Sequence, residues 1–345
     1  MLNTIALITG ITGMDGSSLT PFLLEKNYKV YGLIRRCSNI NTQRIEKNFS
    51  NKNLKLCYGD MTDQSSLFNI LNKIKNENPN MEKLEIYNLA AQSHVAISFE
   101  IPLFTANVDA CGTLNLLEAI KQTGLSDICK LYNATTSELY GKVQQVPQTE
   151  LTPFYPRSPY AVAKLYSFWI CKNYRESYNM FISNGILFNH TNQNRGHNFI
   201  ERKISIGLGK ILRGEDDRLV VGNINSKRDI GLSDEYVIGM WMMLQQDKPD
   251  DFVLATGETH TIREIIEVAF ELKGFNIEWK GTGIDEVGYD TNSGRDLIFI
   301  DKKYYRPCEV DLLIGDASKA KDILGWEAKT KFRDIIKILV NNDCP

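Results

Sequence analysis

Residues 4–16 read TIALITGITGMDG. Thr4–Thr9 is apolar and β-branched enough to be a buried strand, and Gly10, Gly13 and Gly16 come directly after it. A strand, a glycine turn and then a helix over roughly 17–26 is the arrangement in which backbone approaches a pyrophosphate and a helix N-terminus holds it. Gly10, Gly13, Met14, Asp15 and Gly16 are therefore candidate dinucleotide contacts. A tight strand-to-helix turn in any α/β chain would use the same glycines, so the flanking pattern has to decide.

That pattern is regular. Lys29–Ile34, Leu54–Tyr58, 84–88, 129–133 and Phe181–Leu187 read as strands, and helical spacing at 64–74, 104–123 and Pro159–Tyr178 falls between them. Such alternation predicts an α/β fold, a Rossmann-type doubly wound parallel sheet. From Asn189 the rhythm gives way to loops rich in Asn, Gly and Arg, with shorter helices predicted at 262–272 and 317–324. The expected organisation is a dinucleotide-binding Rossmann domain over 1–188 and a smaller C-terminal substrate-binding lobe mainly over 189–345, with the chain crossing back to the first domain.

Bulk composition narrows the partners. Across 345 residues, 43% are hydrophobic and 24% charged, with a net charge of −2, so no global basic field favours nucleic acid or an anionic membrane. No apolar run reaches the roughly 18 residues that span a bilayer, and MLNTIALITG lacks the basic region and cleavage site of a signal peptide. The seven cysteines are odd in number and contain no C-x-x-C pair. A reducing cytoplasm, with neither disulfide framework nor metal, is the expectation.

The residues just past the second strand bear on the cofactor. An acidic residue there would bind both ribose hydroxyls of NAD, whereas Arg35-Arg36-Cys37-Ser38 offers cations and a hydroxyl to a 2′-phosphate, which points to NADP through Arg35, Arg36 and Ser38. The G-x-x-G-x-x-G spacing resembles that of short-chain dehydrogenases. By that resemblance Asp60 and Met61 contact adenine, and Leu89, Ala91, Gln92 and Ser93 wall the pyrophosphate and ribose.

Tyr160 and Lys164 stand at i and i+4 and share a helix face. Ser158 is a good N-cap and Pro159 a good first-turn residue for that helix. A Tyr-x-x-x-Lys pair arises by chance about once in a chain of this composition, so its weight comes from lying after the fifth strand and beyond Thr136. A nearby ammonium is expected to lower the phenol from about 10 towards working pH, making Tyr160 a base for a sugar hydroxyl. Thr136 suits a substrate oxygen. Glu138, two residues on, adds a carboxylate where a proton would leave carbon beside a ketone; a loop surface charge is the plain alternative.

Longer stretches are more specific: LIRRCSNINTQRIE at 33–46, YNLAAQSHV at 87–95, TSELYGKVQQVPQTELTPFYPRSPYAVAKLY at 136–166, GNINSKRDIG at 222–231 and YYRPCEVDLLIGDASKAKDILGW at 304–326. Over nearly its whole length the chain resembles the GDP-mannose 4,6-dehydratase family of extended short-chain dehydrogenases/reductases. The resemblance implies that Thr136, Glu138, Tyr160 and Lys164 are catalytic, and that Tyr160, Lys164, His190 and Arg195 also touch NADP. It further implies that Ser93, Thr136, Glu138, Asn189, Asn198, Lys203, Arg228, Arg306 and Glu309 line a GDP-sugar site. The implied chemistry is an internal redox cycle: oxidation at C4, loss of water across C5 and C6 with Glu138 as base, and return of hydride to C6. A homotetramer, or a homodimer, is implied too, with the 35–48 segment reaching a neighbour's cofactor.

Departures from the family pattern concentrate around the pocket. Met14 replaces Gln, Phe104 replaces Tyr, Ala96 replaces Lys, Ile230 replaces Trp, and HTNQNR at 190–195 replaces His-Glu-Ser-Pro-Arg-Arg. The changes at 191–194 and 230 are expected to relax the sugar pocket around C6. Three readings stay open: dehydration of GDP-mannose, the same dehydration of a C6-extended relative such as GDP-D-glycero-D-manno-heptose, and a non-catalytic NADP-binding scaffold. The intact set Thr136, Glu138, Tyr160 and Lys164 argues against the last.

Overall fold

Strand faces sort the first half of the chain. In β1 (Thr4–Thr9), Ile5 and Leu7 enter one apolar cluster while Ala6 and Ile8 enter another on the opposite face of the sheet. This is the period-2 alternation of a strand buried on both sides. β2 (Lys29–Ile34), β3 (Leu54–Tyr58), β4 (Lys83–Asn88), β5 (Cys129–Thr136) and β6 (Phe181–Leu187) join it in parallel. Phe252–Leu254 pairs in parallel with β6 as the seventh strand, giving the order 252–254, β6, β5, β4, β1, β2, β3. The structure is a computed structural model and describes residues 4–305, 308, 310 and 312–345.

Helices cover both faces. Leu67 and Ile70 of the Gln64–Glu77 helix and Leu116 and Leu117 of Gly112–Gln122 pack with Ile5 and Leu7. Leu19 and Leu23 of α1 (Met14–Glu25) and Tyr236 and Met240 of Ser233–Leu244 pack with Ala6 and Ile8. Strand order reverses between β1 and β4, the place where open α/β sheets form a ligand crevice at the strands' carboxyl ends.

The second half is more regular than its sequence suggests. The segment expected as loops holds helices Ile200–Leu212, Ser233–Leu244 and Phe332–Asp343. Ile204, Leu208 and Ile211 form a buried helical stripe, but Gly207 and Gly209 between them dilute the signal. With Ile265, Ile266, Leu297, Ile298, Ile336 and Val340 they build a separate core. A four-stranded sheet of Ile277–Lys280, Val287–Asp290, Asp296–Ile300 and Leu219–Val221 flanks it. Two short pairs, Asn189–Thr191 with Ile230–Leu232 and Lys227–Arg228 with His260–Thr261, border the crevice.

The predicted helix over 104–123 is interrupted. Pro102–Thr105 is followed by a π-helical turn, Ala106–Cys111, and only then by Gly112–Gln122. No helix among the described residues is long and apolar enough to cross a membrane.

One rung of the sheet is polar although fully buried. Thr9, Asn88, Asn133 and Asn184 are register partners on β1, β4, β5 and β6. Thr9 Oγ1 donates to Asn88 Oδ1 at 3.0 Å, Asn88 Nδ2 to Asn133 Oδ1 at 3.1 Å, and Asn133 Nδ2 to Asn184 Oδ1 at 2.9 Å. Asn184 Nδ2 donates onward to Asp251 Oδ1 at 2.9 Å, and Arg175 closes the chain on Asp251. Asn133→Leu would strand the neighbouring amides of Asn88 and Asn184. At about 1–3 kcal/mol for each of these two unsatisfied buried groups, a loss of roughly 2–6 kcal/mol is expected in denaturant unfolding.

Candidate active site

The carboxyl ends of β1, β4, β5 and β6 open into a cleft of about 1110 Å³. Its floor is the turn after β1. Gly10 has φ 70°, and a Cβ there would lie 2.8 Å from Ala90 N; a Cβ at Gly16 would lie 2.5 Å from Gly10 O. The turn thus has room only for backbone. Gly13 caps α1 without a side-chain hydrogen bond, so first-turn N–H groups remain for an anion. This cradle fits a dinucleotide pyrophosphate.

Gly10, Gly13, Met14, Asp15, Gly16, Arg35, Asp60, Met61, Leu89, Ala91, Gln92 and Ser93 all line the cleft. Arg36 and Ser38 do not: both are exposed, and Arg36 turns back onto the carbonyl of Cys37. Arg44, from the short helix Gln43–Asn48, takes the place by Arg35; it lines the cleft and donates to Thr12 O at 3.2 Å. No motif spacing marks Arg44 in the sequence.

His190 lines the cleft but is tied into the frame. Its Nδ1 meets Phe188 O at 2.8 Å, its Nε2 meets Asp15 Oδ1 at 3.0 Å, and its ring stacks on Tyr236 at 4.6 Å. Ser233 Oγ also donates to Asp15 Oδ1, at 2.7 Å. Burial pushes the Asp15 carboxyl up, but His190, Ser233 and Arg195 together outweigh it and hold the group below its usual range. Arg195 lies over the Phe199 ring at 3.7 Å.

The reacting groups come from β5 and the Pro159–Tyr178 helix. That helix starts as its sequence implies, with Ser158 Oγ accepting from Ala161 N at 3.1 Å and Pro159 in the first turn. β5 runs three residues further than expected and delivers Thr136 to the cleft, followed by the turn Ser137–Leu139. Thr136 Oγ1 accepts from Glu138 N at 3.2 Å and hydrogen-bonds the Tyr160 phenol. Lys164 Nζ donates to Ala134 O at 2.9 Å. Tyr160, Lys164 and Glu138 are each less than a tenth exposed.

The Tyr160 phenol runs against expectation, being held well above its ordinary value rather than below it. Burial is the main cause and the Asp109 carboxylate the next; the Thr136 hydrogen bond opposes them, Glu138 adds to them and Arg195 opposes them. Lys164 is itself pushed down by burial, with Asp109 opposing. Nothing in the sequence marks Asp109, which lies mid-helix in an apolar stretch.

On the sugar side, Asn189, Asn198, Lys203 and Arg228 line the cleft. Lys203 Nζ sits 3.4 Å over the Tyr304 ring, and burial pushes its ammonium down. Arg228 Nη1 donates to Val310 O at 2.7 Å and Lys227 O at 3.0 Å. Arg306 and Glu309 lie outside the described residues.

The departures fall at the cleft wall and in the frame behind it. Met14, Ala96, Phe104 and Asn194 line the cleft. Ile230 is outside its wall, 2% exposed in the core that holds Ile204 and Ile262, and is the register partner of the cleft-lining Asn189. Asn192 is fully buried; its Nδ2 donates to Ser18 Oγ at 2.9 Å and Asp234 Oδ1 at 3.1 Å, and its Oδ1 accepts from Asn194 N at 2.8 Å. Asn194 Nδ2 donates to Ser17 Oγ at 3.1 Å. Asn192 and Asn194 pin this segment to α1, and Asn194 also lines the cleft.

Known proteins match this chain along its length. A family model described as GDP-mannose 4,6 dehydratase matches residues 7–339. The GDP-mannose 4,6 dehydratase of Drosophila melanogaster is 52% identical, covering 98% of this chain and 86% of the relative. That of Homo sapiens is 51% identical, covering 98% and 91%. A solved dTDP-glucose 4,6-dehydratase from Bacillus anthracis in complex with NAD shares the fold, with a TM-score of 0.79 at 19% identity over 98% of this chain and 96% of that one. With the catalytic groups gathered in one cleft and the resemblance running from β1 into the last helix, the chain belongs to the GDP-mannose 4,6-dehydratase family.

Proposed function

We propose that this chain converts GDP-D-mannose to GDP-4-keto-6-deoxy-D-mannose, with NADP as a resident cofactor. The observation that carries this reading is Glu138, a buried carboxylate whose backbone N–H is tied to Thr136 and whose side chain shares the cleft with Tyr160. A simple dehydrogenase or epimerase needs Thr136, Tyr160 and Lys164 but no such second carboxylate. The glycine turn and the first turn of α1 would hold the pyrophosphate, placing the cofactor against 1–188, while 189–345 mainly binds the GDP-sugar through Asn189, Asn198, Lys203 and Arg228. When bound, the oxidised nicotinamide supplies the hydride chemistry and a positive charge, and is not consumed.

The protein's own part is proton handling. Thr136 holds the C4 oxygen and Tyr160 accepts its proton as the phenolate. The Lys164 ammonium one helical turn away and the positive charge of the bound cofactor would favour that phenolate against the burial that otherwise raises the phenol. Once C4 is a ketone the C5 proton is acidic. Glu138 removes it and returns a proton to the departing C6 hydroxyl, which leaves as water. Glu138→Gln keeps the shape and removes the base, so formation of dehydrated product is expected to fall roughly 10²–10⁴-fold. Exchange of C5 hydrogen in deuterated water should fall with it, and turnover close to the parent's would take Glu138 out of this role.

NADP is preferred because Arg35 and Arg44 both border the cleft and present cations to a 2′-phosphate. Replacing both by Ala is expected to weaken NADP relative to NAD by about tenfold to a hundredfold in a binding titration.

A homotetramer, assembled from dimers, is the proposed form, in a reducing cytoplasm consistent with seven unpaired cysteines. Leu103, Val162 and Trp169 are 73%, 56% and 52% exposed on adjoining helices, an apolar surface suited to another copy. Leu103→Glu with Trp169→Glu should lower the mass seen by light scattering.

A further inference from the structure

We propose that Asp109 is a positioning residue for this reaction: it is the buried counterion of Lys164, and through Lys164 and Tyr160 it sets the pH window in which the cleft works. The inference rests on the dehydratase function proposed for this cleft.

The need for a counterion comes from burial. Lys164 is 4% exposed, and its ammonium donates to a neutral acceptor, Ala134 O. A carbonyl does not offset the desolvation of a full charge; an anion does. Two ionisable groups act on Lys164, Asp109 and the Cys171 thiol. Burial pushes the thiol far up, so it stays neutral and leaves Asp109 as the anion.

Asp109 is built for that position. It is 1% exposed, its Oδ1 accepts from Gln92 N at 2.7 Å, and its Oδ2 is buried without a hydrogen-bond partner among the described residues. It sits in the π turn Ala106–Cys111, which packs against the Pro159–Tyr178 helix. In a straight α-helix the residues after the bulge would face elsewhere, and π turns often mark functional positions. Thr113 Oγ1 bonds the Asp109 carbonyl at 3.1 Å and lies 2.9 Å from Ser167 Oγ, a residue of the helix that carries Lys164. Burial raises the Asp109 carboxyl to about 6, with Lys164 and the Gln92 N–H opposing.

Asp109 and Glu138 raise the Tyr160 phenol, whereas Arg195 lowers it. Asp109 alone among these also supports the charge on Lys164. Removing its charge lets both Tyr160 and Lys164 lose protons at lower pH, so both limbs of the kcat/KM profile move in the acid direction. A merely structural role would lower the profile without moving its limbs.

The test compares the parent holoenzyme with Asp109→Asn and Asp109→Glu, measuring kcat/KM for GDP-mannose against pH. Asn keeps an acceptor for the Gln92 N–H and removes the charge; its limbs are expected about one unit lower. Glu restores the charge and should return them. Unmoved limbs in the Asn variant overturn the proposal, whereas a parent that does not turn over GDP-mannose faults only the substrate assignment. A thermal-unfolding cycle decides the matter without substrate. Asp109→Asn and Lys164→Met each strand one buried charge, and the double variant strands none, so its loss of Tm should be smaller than the sum of the single losses. If Asp109→Asn does not fold, the double variant should; additive losses, or a double variant that also fails to fold, overturn the counterion role.

Discussion

The cleft depends on a buried row of amides. Thr9, Asn88, Asn133 and Asn184 occupy one rung across four strands, each bonded to the next. An apolar rung would tolerate a shifted pairing, since Val and Ile pack in many registers. Here a slip would leave several buried amides without partners, and each costs about 1–3 kcal/mol. The rung lies just before the strand ends, so it fixes where Gly10, Leu89 and Thr136 emerge. Thr9 Oγ1 even accepts the backbone N–H groups of Leu89 and Ala90, at 3.0 and 3.1 Å, tying the glycine turn to the opposite wall.

Charge is the second constraint, because the cleft collects it in both signs. Asp15, Asp109 and Glu138 stand among Arg35, Arg44, Lys164, His190 and Arg195. Burial disfavours the charges on Asp15, Arg44, Asp109 and Lys164, and opposite charges and fixed dipoles around them offset that cost. His190 illustrates the economy: one ring nitrogen meets Phe188 O and the other the Asp15 carboxylate, so a single side chain bridges the two elements. That bridge clamps the loop after β6 to the first turn of α1.

Legibility in the sequence tracks how local the determining physics is. The Pro159–Tyr178 helix is readable to both ends because Ser158 and Pro159 announce its start. β1 and its glycines are readable because strand and turn are adjacent in the chain. Arg44 is not, since its value comes from reaching Thr12 across a fold contact. Asp109 is hidden by the π turn, which periodicity treats as continuous helix. The direction of the Tyr160 shift is illegible for the same reason: proximity of Lys164 is visible in an i, i+4 pair, but burial and two carboxylates from other elements are not.

The departures from the family pattern act on the frame more than on the pocket. Asn192 and Asn194 exchange hydrogen bonds with Ser17, Ser18 and Asp234, so this loop is held by side-chain amides to α1 and to the start of the Ser233–Leu244 helix. Ile230 lies within the core of the second half. Asn194 also lines the cleft while its amide is tied to Ser17. The substituted residues that face the cleft, Met14, Ala96, Phe104 and Asn194, border the cofactor turn and the adjoining walls. The loop that carries Arg195 is thus anchored to α1 by the side-chain amides of Asn192 and Asn194, and this anchoring holds one wall of the cleft in register with the glycine turn.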